Sequence, residues 1–124
     1  MNIDYIKGIF DGEGCISISR QTYVTKENKL TKYFYLRSNI SNKNMECLRM
    51  IRDFLGYGTL YFRKQDQIYI LHFNEKETVN LLDEISEGLI VKKEEARLVK
   101  QFMEHKDEMF YIELRNRRRG HKIA

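Results

Sequence analysis

Two carboxylates flank a glycine near the start of the chain, in the segment Asp11-Gly12-Glu13-Gly14. Apolar side chains at helical spacing precede it, so both acids lie at the predicted C-terminal end of a short helix. The dipole of a helix disfavours negative charge at that end. Two acids there suggest that a cation is bound, and Mg²⁺ commonly binds through one or two carboxylates plus phosphate. The alternative is an Asp-Gly turn whose acids point into water.

Two glycines of the same helix suggest a contact with a second helix. Gly8 and Gly12 are four residues apart and therefore lie on one side. Glycine inside a helix costs roughly 1 kcal/mol relative to alanine. Small residues at this spacing let another helix backbone approach closely, a geometry best documented in membranes. The spacing therefore predicts a helix–helix interface.

The elements that must position these residues follow from hydrophobic periodicity. Strands are predicted over 15–23, 33–40, 59–63 and 67–73. Helices are predicted over 2–12, from a cap at Asn42 or Asn44 to Gly56, from a capping box at Asn74 to Gly88, and from about Lys92 to about Leu114. This order predicts an α+β domain with helices packed on one face of an antiparallel sheet.

The outward face of the predicted strands is rich in Ser, Gln, Asn, Tyr and Arg. A two-stranded ribbon fits the DNA major groove, and these side chains can read base edges. Ile70 shares this face in the same alternation. For any single strand, a polar face turned to solvent is the alternative.

Length, charge and cysteine content limit the class of protein. A chain of 124 residues predicts one domain, 1–114, followed by a basic tail, 115–124, with five Lys or Arg and no acid. The stretch 15–73 is also net basic, which favours a nucleic-acid partner over a merely solvated tail. Two cysteines, no signal-like amino terminus and no apolar run near the ~20 residues of a membrane helix predict an intracellular protein without a membrane partner. The sequence lacks the spacing of a zinc site, a phosphate-binding loop, a serine nucleophile elbow or a calcium loop.

Residues 6–14 resemble the LAGLIDADG motif of homing endonucleases. The apolar positions, both interface glycines and the closing Gly-acid-Gly match, whereas Lys7 replaces a small residue and Glu13 replaces the commoner Asp. The order of elements is similar too. The resemblance implies an αββαββα-type LAGLIDADG domain with a four-stranded DNA-binding sheet. Because only one motif copy is present, it implies a homodimer whose interface contains Ile6, Gly8, Ile9 and Gly12.

The resemblance also implies a reaction: site-specific hydrolysis of both strands of a long pseudo-palindromic DNA target, dependent on Mg²⁺ or Mn²⁺, by an enzyme encoded within an intron or intein. Glu13 is then the metal-binding catalytic carboxylate and Asp11 a weaker candidate for both roles. Lys92 matches a basic residue near the active site, with Lys93 the fallback. Two lysines on an exposed helical turn are the alternative. Asn42 matches a position that organises water, against the alternative of a helix cap.

The residues proposed to contact DNA lie on the outward strand face and in the tail. They are Ser17, Ser19, Gln21, Tyr33, Tyr35, Arg37, Asn39, Tyr61, Arg63, His72, Arg117, Arg118 and Arg119. Other interpretations stay open: an RNA maturase acting on host intron RNA, a DNA-binding regulator that does not cut, or a structural dimer. The compartment, whether cytoplasm, nucleoid or an organelle, is left open.

Overall fold

The computed structural model describes the backbone of residues 1–123 and the side chains of residues 1–117. Its helices and pairs of strands follow one another in the predicted order as far as the third helix. The helices are α1 (Ile3–Glu13), α2 (Met45–Leu55), α3 (Glu75–Ile85), α4 (Lys93–His105) and α5 (Glu108–Ile123). The strands are β1 (Gly14–Val24), β2 (Leu30–Asn42), β3 (Thr59–Arg63) and β4 (Ile68–Phe73). A 3₁₀ turn, Ser86–Gly88, follows α3. None of the helices within 1–123 is long and apolar enough to cross a membrane.

The four strands form one antiparallel sheet in the order β1-β2-β4-β3. Side chains of opposed residues in such a sheet share a face. One face carries the buried side chains that join the helices in a single core, among them Ile16, Leu36, Ile40, Leu71 and Phe73. The predicted fold class, an antiparallel four-stranded sheet with helices on one face, is confirmed.

Local signals at the helix ends also act as predicted. The side chain of Asn74 accepts a hydrogen bond from the amide of Glu77, and the side chain of Glu77 accepts one from the amide of Asn74. Asn44, one of the two predicted caps, begins α2 by accepting from the amide of Cys47. Gly56 ends α2 in the left-handed conformation, with φ of 83°, which glycine adopts without steric cost.

The last helix differs from the prediction, which placed one helix from about Lys92 to about Leu114. Two helices, α4 and α5, are separated at Lys106, whose φ of 51° is left-handed. The Lys106 ammonium donates to both carboxylate oxygens of Glu75, at 2.7 and 2.8 Å. It also lies 4.9 Å from the centre of the Phe102 ring. A long-range ion pair therefore stabilises the break, and no glycine or proline marks it in the sequence.

The pairing register confirms that Ile70 lies on the outward face, opposite Ser41 and Tyr61. Only 2% of it is exposed. Ile70 is therefore part of the support of the outward face and does not project from it.

Candidate functional site

The end of α1 turns directly into β1, and this turn fixes the position of Glu13. A Cβ atom on Gly14 would lie 2.5 Å from the Phe10 carbonyl oxygen and 2.8 Å from its ring. Only glycine allows β1 to begin this close beneath the buried Phe10. Glu13, the last residue of the helix, is exposed at this corner.

The amide of Asn42 holds the Glu13 carboxylate. Asn42 Nδ2 donates to Glu13 Oε2 at 3.0 Å, and Asn42 Oδ1 accepts from the amide of Asn44 at 2.8 Å. Because Asn44 is the cap of α2, Asn42 is not used as a helix cap. A shallow cleft of about 350 Å³ opens at this point, lined by Glu13, Ser41, Asn42, Lys43 and Ile68. Lys43, which adds a positive charge to the cleft, was missed in the sequence, although it directly follows Asn42.

The carboxylate of Asp11 is directed at the segment before α4. Asp11 Oδ2 accepts from the amides of Ile90 and Val91, both at 3.1 Å, and Oδ1 accepts from the amide of Lys92 at 3.0 Å. Burial opposes ionisation, but these three hydrogen bonds and the charge of Lys92 outweigh it and lower the pKa of Asp11 below its ordinary value. The unfavourable charge at the end of α1 is thus compensated by backbone amides at the start of α4.

Lys92 completes the same contact in the opposite direction. Its Nζ donates to the backbone carbonyl of Asp11 at 2.7 Å, at the negative end of the α1 dipole. Only 8% of Lys92 is exposed. The alternative, two lysines on an exposed helical turn, therefore does not hold for Lys92. Lys93 is exposed.

The capacity of this region to bind a cation rests on Glu13. Within the described residues, no three His, Cys, Asp or Glu side chains converge on one point. Both oxygens of Asp11 are used by backbone amides, whereas only Oε2 of Glu13 is engaged, by Asn42. An exposed carboxylate oxygen is a suitable ligand for Mg²⁺, which takes its remaining ligands from water and phosphate. One chain thus supplies one carboxylate to such a site.

The outer side of α1 carries the two glycines. A Cβ atom on Gly8 or on Gly12 would meet nothing within 4 Å. The chain itself therefore gives no steric reason for either glycine. Lys7 does not obstruct this side, because its aliphatic stem packs on Gly88. A Cβ atom on Gly88 would lie 2.6 Å from Lys7 Cδ.

One predicted interface residue needs correction. Ile6 is completely buried in the core of its own chain, so it cannot contact a second copy. In a helix with about 3.6 residues per turn, Gly8 and Gly12 lie on the outer side, and Ile6 therefore lies on the opposite side, toward the sheet. Ile9 is half-buried and packs partly against the core.

The ten strand residues predicted to contact DNA all lie on the outward face of the sheet, as their pairing register requires. Tyr33 and Tyr35 stack there with ring centres 5.9 Å apart. His72 has a lowered pKa because burial and the charge of Arg37 disfavour its protonation. Arg63 is held in two hydrogen bonds by Asp66, at 2.9 and 2.5 Å.

The C-terminal helix reaches the edge of that face. A second cleft, of about 290 Å³, is lined by Ser17, Ile18, Ser19, Arg20, Arg37, Tyr111, Leu114 and Arg115. Arg115 of α5 thus lies beside the outward residues of β1 and β2. The predicted DNA-contacting residues Arg118 and Arg119 lie outside the described side chains, and Arg117 is half-buried.

Comparisons with known proteins agree with this geometry. The profile of the LAGLIDADG endonuclease family matches residues 6–95. A protein of Schizosaccharomyces pombe, named probable intron-encoded endonuclease Cox1-I1b, is 31% identical over 81 residues, which are 65% of this chain. The matched part of the chain covers 21% of the length of that relative.

Solved structures share the fold. The archaeal intron-encoded homing endonuclease I-Vdi141I, complexed with DNA, superimposes with a TM-score of 0.74 at 21% identity, over 92% of this chain and 82% of the other. The homing endonuclease I-CvuI superimposes with a TM-score of 0.68 at 21% identity, over 90% and 74% of the two chains. The motif at residues 6–14, the sheet and the profile match over most of the chain lead to one conclusion: this chain belongs to the LAGLIDADG endonuclease family.

Proposed function

We propose that the chain is one half of a homodimeric endonuclease that hydrolyses both strands of a long, partly symmetric DNA site in a metal-dependent reaction. The observation that carries this proposal is the exposed Glu13 carboxylate, oriented by Asn42 at 3.0 Å, in a cleft shared with Ser41 and Ile68. Both of these residues belong to the outward sheet face. A carboxylate for a metal thus borders a polar surface suited to reading DNA.

The outward sheet face is proposed to bind the DNA duplex. Its Gln, Asn, Tyr and Arg side chains have the donors and acceptors that direct readout in the major groove requires. Arg37, which is exposed and not paired with an acid within the described residues, is the stronger candidate for guanine. Arg63 must first leave Asp66. The related I-Vdi141I has been seen complexed with DNA, which favours the same partner here.

In the proposed reaction, Glu13 would hold Mg²⁺ or Mn²⁺. When bound, such an ion would polarise the phosphate and lower the pKa of bound water. Asn42 fixes the direction of the Glu13 carboxylate. Lys43 adds positive charge to the same cleft, and this charge would attract the negative phosphate. The second strand is cut by the Glu13 of a second copy, because one chain provides one such carboxylate.

Asp11 is proposed to position Lys92 and not to bind metal. Its two oxygens accept three backbone amides, which leaves little capacity for a cation. The segment that Asp11 holds includes Lys92, whose ammonium donates to the backbone carbonyl of Asp11 at the end of α1, two residues before Glu13. Lys92 is proposed to supply fixed positive charge at this end of the helix, where negative charge develops during hydrolysis.

The first experiment is a selection for double-strand cuts in a randomised duplex library, with Mg²⁺ and with EDTA. We expect cutting at one enriched, two-fold-symmetric sequence with Mg²⁺ only. Glu13→Gln should lower the cleavage rate by about 100-fold or more, because the metal ion that Glu13 would hold is worth several kcal/mol of transition-state stabilisation. Glu104→Gln, at an exposed site on α4, is the matched control and should cut normally.

A companion variant tests the orientation of Glu13. Asn42→Ala removes the hydrogen bond but leaves the carboxylate, so we expect the rate to fall by about 10-fold with unchanged DNA affinity, as for other groups that orient metal ligands. If the library stays uncut while the protein selectively binds one duplex, the catalytic proposal is overturned in favour of a DNA-binding regulator. Selective binding of structured RNA instead would favour a maturase.

A further inference from the structure

The outer side of α1 has two flanks, which differ in their neighbours. Successive residues of a helix turn by about 100°, so Tyr5 and Ile9 lie on one side of the Gly8–Gly12 line, and Lys7 and Asp11 lie on the other. On the first flank, Tyr5 Oη contacts Cys47 Sγ of α2 at 3.3 Å. On the second flank, Asp11 holds the segment 90–92.

Each flank exposes apolar side chains to solvent. Ile90 is 83% exposed and Val91 is 56% exposed, although their backbone amides are fixed by Asp11. The other flank has a groove of about 380 Å³ lined by Met1, Tyr5, Cys47 and Met50 together with three polar residues, Glu46 among them. A fixed apolar projection thus lies on one side of α1 and a partly apolar groove on the other.

The face of α1 alone is too small for a stable dimer. An 11-residue helix is about 16 Å long and about 10 Å wide, so its footprint is on the order of 160 Å². A stable interface buries about 800 Å² of each partner. A second copy that packs on Gly8 and Gly12 must therefore also cover the flanks.

Two-fold symmetry determines which flanks meet. When two α1 helices lie side by side with their Glu13 ends together, each flank of one helix faces the opposite flank of the other. The projection of one copy then faces the groove of its partner, and the same contact occurs twice.

On this basis, and resting on the proposed homodimer, we infer that a second copy of the chain inserts its Ile90 and Val91 into the groove formed by Tyr5, Cys47 and Met50. Because Asp11 holds both the Ile90–Val91 segment and Lys92, the dimer contact and the basic residue of the site belong to one rigid unit. The site that cuts both strands is incomplete without this contact.

The inference is tested by a pair of opposite charges. Val91→Arg and Met50→Glu each place a charge in the apolar contact, twice per dimer. Each variant alone should raise the dimer Kd by about 100-fold, since burial of one such side chain is worth about a factor of ten. An equimolar mixture should recover dimers, because one contact pairs Arg with Glu and the other is wild type. Ile112→Glu, at an exposed apolar site on α5, is the control and should dimerise normally.

Sedimentation equilibrium of the full chain, with circular dichroism to verify folding, gives a decisive result in each case. Loss of dimer in each variant and recovery in the mixture supports the inference. A wild-type dimer that survives both variants but dissociates on Gly8→Leu overturns the inference and leaves the proposed function intact. A wild-type chain that stays monomeric and does not cut DNA overturns both. One that stays monomeric yet cuts overturns the dimer contact and the homodimer, and leaves only the nuclease activity of the proposed function.

Discussion

Asp11 and Glu13 are two residues apart in the chain, yet their carboxylates have different surroundings. Asp11 accepts three backbone amides from the segment before α4, whereas Glu13 is exposed and accepts one side-chain amide. The former arrangement fixes a charge within the protein, and the latter leaves a charge available to a ligand. The spacing of the two residues on α1 directs them to opposite sides of the helix end.

The hydrogen bonds to Asp11 predict a pH-dependent contribution to stability. The folded pKa of Asp11 is lowered, so this contribution is present above the unfolded value of about 3.9 and is lost as the pH falls through the folded pKa. Asp11→Asn keeps an acceptor but loses the charge, and should destabilise the fold by about 1–2 kcal/mol near pH 7. Urea unfolding from about pH 7 down to about pH 3 should show this difference shrinking.

Asp83→Asn, on the exposed side of α3, is the control and should have little effect at either pH. A destabilisation by Asp11→Asn that is equal at both ends of the pH range would contradict the role given to the ionised carboxylate. If Mg²⁺ raised the free energy of unfolding of the wild type but not that of Asp11→Asn, Asp11 would be a metal ligand after all.

At the residue level, the sequence predicted Glu13 as the candidate ligand but not the partners of either acid. Asn42 is 29 residues from Glu13, and the amides that bind Asp11 are 79 to 81 residues from it. Local spacing and helix polarity correctly identify the Asp11 charge as unfavourable where it stands. They do not reveal that backbone amides at a distant helix start compensate for it.

Among the elements, the junction between α4 and α5 depends on contacts distant in sequence. Glu75 in the first turn of α3 accepts from the amide of Leu36 at 2.8 Å and from the Lys106 ammonium. It therefore links α3, β2 and the break between the last two helices. Periodicity predicted every strand and the first three helices because each has a regular apolar face. It predicted one final helix because Lys106 leaves no local signal of a break.

A double-mutant cycle on Glu75→Gln and Lys106→Met measures this link. The pair is about one-third exposed, so we expect a coupling of about 1 kcal/mol in urea unfolding, near the upper end for ion pairs in contact with solvent. The exposed pair Glu94 and Arg97 on α4 is the comparison and should couple by about 0.3 kcal/mol. Equal coupling for both pairs would mean that the junction does not depend on Glu75.

In the whole molecule, charge is divided between the sheet side and the helix side. The outward sheet face carries Arg37 and Arg63. Helix α5 brings Arg115 to the edge of this face and contains most of the basic stretch 115–124, which was predicted as a separate tail. The stretch 74–114, which includes α3 and α4, is net acidic. This division of charge would attract a duplex to one side of the protein, and the proposed homodimer would double that side.

This charge distribution predicts how salt affects binding. Each phosphate contact changes the slope of log affinity against log salt by about 0.9. Replacement of Arg117, Arg118 and Arg119 by Gln should reduce the slope by up to about 5 in a dimer and weaken binding to all duplexes alike, because phosphate contacts carry no sequence information. Replacement of Lys76, Arg97 and Lys100 on the helix side removes the same charge and should leave the slope almost unchanged. Fluorescence anisotropy at several salt concentrations, on a selected site and a scrambled one, measures both effects. Equal slopes for the two triple variants would mean that the tail makes no phosphate contacts, and a loss confined to the selected site would mean that it reads bases instead.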